Sequence, residues 1–239
     1  MANDIDIGLF SINTDHLVDA EALSTVAMAA EEAGFESVWT AEHVVLPDPQ
    51  MPPSPLPPDA ELLDPTVALG YVAAVTTRIK LATGIIILPQ RNPLVLAKEL
   101  ASVDVLSNGR MLFGVGVGYL QPEFDAIGIP MEDRGRRTTE YIEAMRSIWN
   151  DEDPAYEGDY VSFAGVKAFP RPIQPLGPPV IMGGHSIPAW RRSVTHSQGW
   201  YGFMLDPEAT SANLAGLSEA HQKYERPSEL GQLEITVTP

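Results

Sequence analysis

Four short stretches of this 239-residue chain carry side chains able to do chemistry, and each follows an apolar run directly. Trp39-Thr40-Ala41-Glu42-His43 sets an imidazole beside a carboxylate and an indole. Leu88-Pro89-Gln90-Arg91 ends on a guanidinium, Gly116-Val117-Gly118-Tyr119 is followed by Glu123, and Gly183-Gly184-His185-Ser186 joins two glycines to a polar pair. Histidine changes charge near physiological pH, which suits His43 to proton transfer, although a lone histidine also serves as a satisfied structural residue. The Gly183–Ser186 stretch reads as an anion site. Its glycines admit close backbone approach, and a following helix would aim free N–H groups at the same point. A tight strand-to-helix turn capped by Ser186 explains the same residues.

Other chemistries fit less well. Residues 114–118, GVGVG, invite a dinucleotide-binding reading, but Tyr119 stands where a third glycine is needed, and Pro122 and Pro130 argue that no helix opens there. Small residues at that place either leave room for a flat ring or mark a bend. A metal-dependent hydrolase would want a histidine cluster at a strand end, and Ser11-Ile12-Asn13 offers none. With no cysteine, disulfides and thiolate-ligated zinc or iron–sulfur centres are excluded. Metal is not expected. Seven of the fifteen cations (Arg91, Arg134, Arg136, Arg137, Arg171, Arg191 and Arg192) follow a strand or open a helix, where they could meet an anionic cofactor or simply be solvated.

Those residues need a scaffold that brings strand ends together. Candidate strands are Ile5–Phe10, Ser37–Ala41, Ile79–Leu88, Met111–Val117, Val180–Met182, Trp200–Met204 and Leu233–Val237. Helices alternate with them. Leu17–Ala33 stops at Gly34, Asp64-Pro65, Asn92-Pro93 and Asp206-Pro207 each pair a cap with a proline in the first turn, and Arg136–Trp149 carries an apolar stripe. Ser186 caps a further helix running to His196. The seven prolines between Leu46 and Asp59 make that segment an exposed loop. An insertion at about 150–179 interrupts the rhythm, with Tyr160–Phe163 expected to pair with Lys167–Phe169. Strict strand–helix alternation argues for an α/β fold, one domain over 1–239, with a parallel sheet. A doubly wound sheet and a closed (β/α)8 barrel both satisfy it, and size favours the barrel. Only seven strands are found, so the last β/α unit, roughly 30 residues, is expected to be lacking.

Charge and hydropathy limit the partners. A net charge of −17 would repel a phosphate backbone, so nucleic acid is not expected. No apolar run approaches the roughly 18 residues of a membrane span, and MANDIDIGLF does not read as a signal peptide. A cytoplasmic location without membrane contact, and a small-molecule substrate, are the expectations.

Taken together, WTAEH, ATGIIILPQRNPLVLAKELASVDVLSNGR, LFGVGVGY, EFDAIGIPMEDRGRRTTEYIEAMRSIW, PPVIMGGHS and GWYGF resemble the bacterial luciferase-like monooxygenase family. More narrowly they are similar to its branch of oxidoreductases that use the deazaflavin coenzyme F-420. The resemblance runs from Ile5 to about Phe203. It implies a TIM (β/α)8-type barrel holding a deazaflavin, or alternatively FMN, at the C-terminal ends of its strands. The ring would lie against Thr83, Gly84 and Ile85, where members often carry a bulge with a non-proline cis peptide. Gly114 and Gly116 would flank it, Trp39 would pack the pocket wall, and Gly183, Gly184, His185 and Ser186 would take the phosphate. His43 matches the family's strand-two histidine. The acid of sugar-phosphate-oxidising members is a glutamate after strand four, where this chain has Tyr119, with Glu123 the nearest carboxylate. His43 and Glu123 are therefore the catalytic candidates, the Leu46–Asp59 loop a candidate lid, and a homodimer the expected assembly. The expected activity is hydride transfer to or from a small organic substrate, with an FMN-dependent monooxygenase or a non-catalytic ligand-binding barrel as the alternatives.

Overall fold

A computed structural model describes residues 5–239; the opening residues read above against a signal peptide fall partly on 1–4, outside the described residues. Strands and helices alternate as β1 (Gly8–Phe10), α1 (Ala20–Ala33), β2 (Ser37–Thr40), α2 (Pro65–Val75), β3 (Lys80–Thr83), β4 (Ile86–Ile87), α3 (Pro93–Leu106) and β5 (Met111–Gly116). There follow α4 (Gln121–Ile127), α5 (Arg134–Asn150), β6 (Tyr156–Glu157), β7 (Ser162–Phe163), β8 (Val180–Gly183), α6 (Ile187–His196), β9 (Gly199–Phe203), α7 (Pro207–Lys223) and β10 (Glu234–Thr238). The caps behave as their chemistry requires. Asp64 accepts from the N–H groups of Thr66 and Val67, Asn92 from Leu94 and Val95, and Asp206 from Ala209, each with proline in the first turn.

One parallel sheet runs in the order β1-β2-β3-β5-β8-β9-β10, with β4 continuing β3 along the same side of β5. The chain order equals the sheet order. That is a curling barrel wall, and it excludes the doubly wound alternative, whose strand order must reverse. Among the described residues β1 and β10 do not pair, so the wall is nearly but not fully closed. Between β3 and β4 the Gly84–Ile85 peptide is cis, at the bulge the resemblance implied. The larger apolar core lies between sheet and helices and includes Leu23, Leu69, Leu100, Phe113 and Ile148. A second cluster, of Trp39, Ala82, Ile181 and Tyr201 with Phe10, Ile85 and Leu112 against it, fills the barrel interior.

Three local expectations are corrected. The hairpin pairs Tyr156–Glu157 with Ser162–Phe163, not Tyr160–Phe163 with Lys167–Phe169. The Glu140 carboxylate accepts the backbone N–H groups of Asp159, Tyr160 and Val161, which makes those residues the turn. A helix does open after Tyr119: Pro122 sits in the first turn of α4, where its missing N–H costs no bond. Ser186 holds the N-cap position of α6, but its side chain makes no capping bond.

Candidate active site

The C-terminal ends of β1, β2, β3, β4, β5, β8 and β9 surround a cavity of about 580 Å³. This is within the range of pockets that enclose drug-sized ligands. Gly84, Ile85, Gly116, Gly183 and Gly184 supply backbone and one aliphatic side chain to its base. Phe10, Tyr201, Phe203 and Met204 form an apolar wall, and Pro55 and Leu56 of the proline-rich segment face it from above. Residues at the ends of β2, β3, β5 and β8 thus share one space, while the Leu88–Arg91 stretch lies outside its lining.

His43 lines this cavity with its side chain largely covered. Its Nδ1 lies 3.3 Å from Glu123 Oε2, and its Nε2 lies 3.4 Å from the Tyr119 hydroxyl. Glu123 is fully buried behind it, at the start of α4, and its other oxygen accepts the Val44 N–H at 2.7 Å. Burial alone would raise the Glu123 carboxyl. Hydrogen bonding from His43, that group's positive charge when protonated, and the Val44 N–H outweigh it and hold the carboxyl below the ordinary value. An ionised Glu123 accepts at Nδ1, so the neutral imidazole carries its proton there and leaves Nε2 bare toward Tyr119. Burial, and then the Glu123 charge, push the Tyr119 phenol up, which keeps it protonated and able to donate to Nε2.

Glu42 also reaches the cavity but is fully engaged. It accepts the Ile87 N–H, which fixes β4 after the bulge, and it is paired with Arg91, whose guanidinium also meets Asp64. Burial pushes the Glu42 carboxyl up against the pull of Arg91. The Gly183–Ser186 turn is held from below: Trp200 Nε1 donates to the Gly184 carbonyl at 2.8 Å, and the Phe203 N–H donates to His185 Nε2 at 3.1 Å. An imidazole that accepts there is neutral, and burial lowers the His185 pKa in the same sense.

Not every candidate comes to the cavity. Trp39 lies one layer beneath, stacked on Tyr201 with centroids 5.2 Å apart and its Nε1 donating to Ser37 Oγ. Thr83 and Gly114 bind each other, Thr83 Oγ1 donating to the Gly114 carbonyl at 2.7 Å. Glu123 stands behind His43, and Ser186 lies outside the lining. None of the seven arginines lines the space. Phe10, Asp15, Glu61 and Tyr201 do, and the sequence reading did not single them out. Asp15 and Glu61 come from loops that only the fold brings together, by the Asp15 N–H donating to the Glu61 carbonyl. Among the described residues no group of three or more His, Asp or Glu could hold a metal, and no helix is long and apolar enough to cross a membrane.

The luciferase-like monooxygenase family model matches residues 9–239. An uncharacterized protein of Mycobacterium tuberculosis is 35% identical over 185 residues, covering 74% of this chain and 66% of that protein. An F420-dependent glucose-6-phosphate dehydrogenase of Amycolatopsis mediterranei is 32% identical over 165 residues, 66% of this chain and 46% of that one. An FMNH2-dependent dimethylsulfone monooxygenase of Pseudomonas fluorescens is 31% identical over 180 residues, 74% of this chain and 46% of that one. The crystal structure of monooxygenase RslO1 from Streptomyces bottropensis superposes with a TM-score of 0.75 at 26% identity, over 97% of this chain and 70% of that one. The chain thus spans about two thirds, or less, of the length of these curated relatives.

Proposed function

This chain belongs to the luciferase-like monooxygenase family, and from that premise we propose that it transfers a hydride between a deazaflavin of the F-420 type and a small organic substrate. The observation that carries the reading is the convergence of His43, the Gly84–Ile85 bulge, Gly116 and the Gly183–Gly184 turn on one cavity. The residues present fit such a group. A planar tricycle needs an apolar slot with a bare backbone floor, which Gly116, Gly183 and Gly184 beside Ile85 provide. An anionic end needs donors, and the first-turn N–H groups of α6 at Ile187 and Ala189, left free of the Ser186 side chain, would supply them, Pro188 between them having none.

When bound, the ring would accept or donate the hydride. The protein's own part is positional and acid–base. The bulge and the glycines would bound the slot for the ring, Pro55 and Leu56 line the same cavity, and His43 would hold or take a proton there, oriented by Glu123. FMN remains the second cofactor reading, favoured by the likeness to the dimethylsulfone monooxygenase. Titrating the purified protein with each cofactor separates the two by affinity. For the catalytic role, His43→Ala should lower turnover by about 10²-fold or more while cofactor affinity changes little. Equal losses in both would make His43 a packing residue, and tight binding without turnover from any donor would support a non-catalytic barrel.

A further inference from the structure

Both nitrogens of His43 are already engaged, Nδ1 by Glu123 and Nε2 by Tyr119, so the hydrogen-bonded route for a proton at Nε2 runs through a phenol. Tyr119 lines the cavity, is 46% exposed, and meets the imidazole edge-on with ring centroids 5.9 Å apart. Its hydroxyl stands between solvent-side space and a bare nitrogen. The rest of the lining points to one kind of occupant. The acidic residues Asp15 and Glu61 line the cavity from the loops, no lysine or arginine lines it among the described residues, and the wall of Phe10, Tyr201 and Phe203 is aromatic. A phosphorylated or carboxylated substrate would meet negative charge with no cation to offset it.

Resting on the hydride-transfer reading above, we propose that Tyr119 is the catalytic residue that meets the substrate oxygen, with His43 as its proton store and Glu123 as a positioning residue, and that the substrate is an uncharged, largely apolar alcohol or carbonyl compound. In the oxidative direction the substrate O–H bond breaks as its proton passes to the Tyr119 oxygen. The phenolic proton of Tyr119 passes to His43 Nε2, and the hydride leaves the substrate carbon for an oxidised deazaflavin or flavin. The products are a carbonyl compound, the imidazolium and the reduced cofactor. Reduction runs the same steps backwards.

Two experiments test this. Nitrogen-15 spectra of the protein without cofactor should show neutral His43 protonated at Nδ1 with Nε2 bare. Tyr119→Phe should keep that tautomer and shift the Nε2 resonance, and Glu123→Gln should lose the preference. A wild-type imidazole protonated at Nε2 overturns the relay whatever the cofactor proves to be. With cofactor binding shown by titration, 2-butanol and cyclohexanol should be oxidised and glucose 6-phosphate should not. Tyr119→Phe should then lower kcat about 10²-fold with KM within a few-fold. Unchanged kcat in that variant, transfer confined to the sugar phosphate, or no transfer from either alcohol overturns the proposal. Failure to bind any flavin or deazaflavin overturns the earlier reading instead, and the tautomer still decides the relay.

Discussion

Two glycines two residues apart on β5 should fail in different ways when given a methyl group. A Cβ on Gly114 would lie 1.7 Å from the Thr83 carbonyl oxygen and 2.9 Å from its carbon, where ordinary contact begins at 3.4 Å. Both obstacles are backbone, so β3 and β5 must part by more than an ångström. That strains the ladder at Leu81–Met111 and Ala82–Leu112 and the Thr83 bond to the Gly114 carbonyl. Overpacking costs about 1–3 kcal/mol and the lost bond about 1 more, so Gly114→Ala should destabilise the protein by about 3 kcal/mol. At roughly 2–4 °C per kcal/mol for a chain of this size, Tm should fall by about 6–12 °C. A Cβ on Gly116 meets only the Ile85 side chain, its Cδ1 at 2.0 Å and its Cγ1 at 3.3 Å, and no backbone, so the obstacle can swing away. Stability should fall by only about 1 kcal/mol. Ile85 lines the cavity, however, so the displaced methyl takes space from the ligand, and cofactor Kd should rise about 10-fold or more. Thermal unfolding followed by circular dichroism, beside a cofactor titration, reads both. A Gly114→Ala protein melting within about 2 °C of wild type, or Gly116→Ala the less stable of the two, would refute the close approach of β5 to the bulge.

Arg91→Met should cost about 3–5 kcal/mol in urea unfolding, because it strands the buried Glu42 carboxylate; adding Glu42→Gln should recover part of the loss, and additive losses would show the pair is not coupled. Glu31 should give acid sensitivity. Burial would raise its carboxyl, but the N–H groups of Ile79, Arg78 and Thr77 hold it at about 2 against an ordinary 4.5. Its folded pKa being depressed, the contribution is complete above about pH 4.5 and is lost as pH falls through about 2. The stability gap between wild type and Glu31→Gln, on the order of 1 kcal/mol at pH 7 after solvent screening, should therefore close toward pH 2; a gap independent of pH would remove the charge from the explanation.

What could be read from the sequence was whatever local chemistry decides. Cap-plus-proline pairs at Asp64, Asn92 and Asp206 gave helix starts because side chain and backbone act within three residues. Near-continuous apolar runs gave the strands because both their faces are covered. The errors fall where a distant residue decides. Glu140 turns the chain at Asp159–Val161 from twenty residues away, which no local pattern in the insertion records. Pro122 reads locally as a helix breaker although the first turn tolerates it, so nothing in the sequence nearby announces α4, the helix that carries Glu123. In the site, residues after each strand were found by position alone, yet their division into cavity and support could not be. Trp39, Thr83 and Gly114 stand deeper in the barrel than Ala41, Gly84 and Gly116, which reach the cavity, and that depth depends on how the strands tilt around the barrel.

The base of the cavity does not depend on pairing between β1 and β10. Phe10 of β1 packs on Phe203 and Tyr201 of β9 at 5.4 and 6.5 Å between ring centroids, and Tyr201 stacks on Trp39 of β2. Side chains thus cross the interior from one edge region of the sheet to the other where no backbone ladder does. The Tyr201 hydroxyl, bonded to Thr238 Oγ1 at 2.7 Å, ties β10 to the same layer. Each aromatic contact adds about 0.5–1.5 kcal/mol beyond the area it buries, so the layer is a substantial internal tie. It also explains why Trp39 is placed below the cavity and not in its wall. The indole supports Tyr201 from beneath, Tyr201 and Phe203 line the cavity, and Gly183, paired with Tyr201 across the ladder, brings bare backbone beside that aromatic layer.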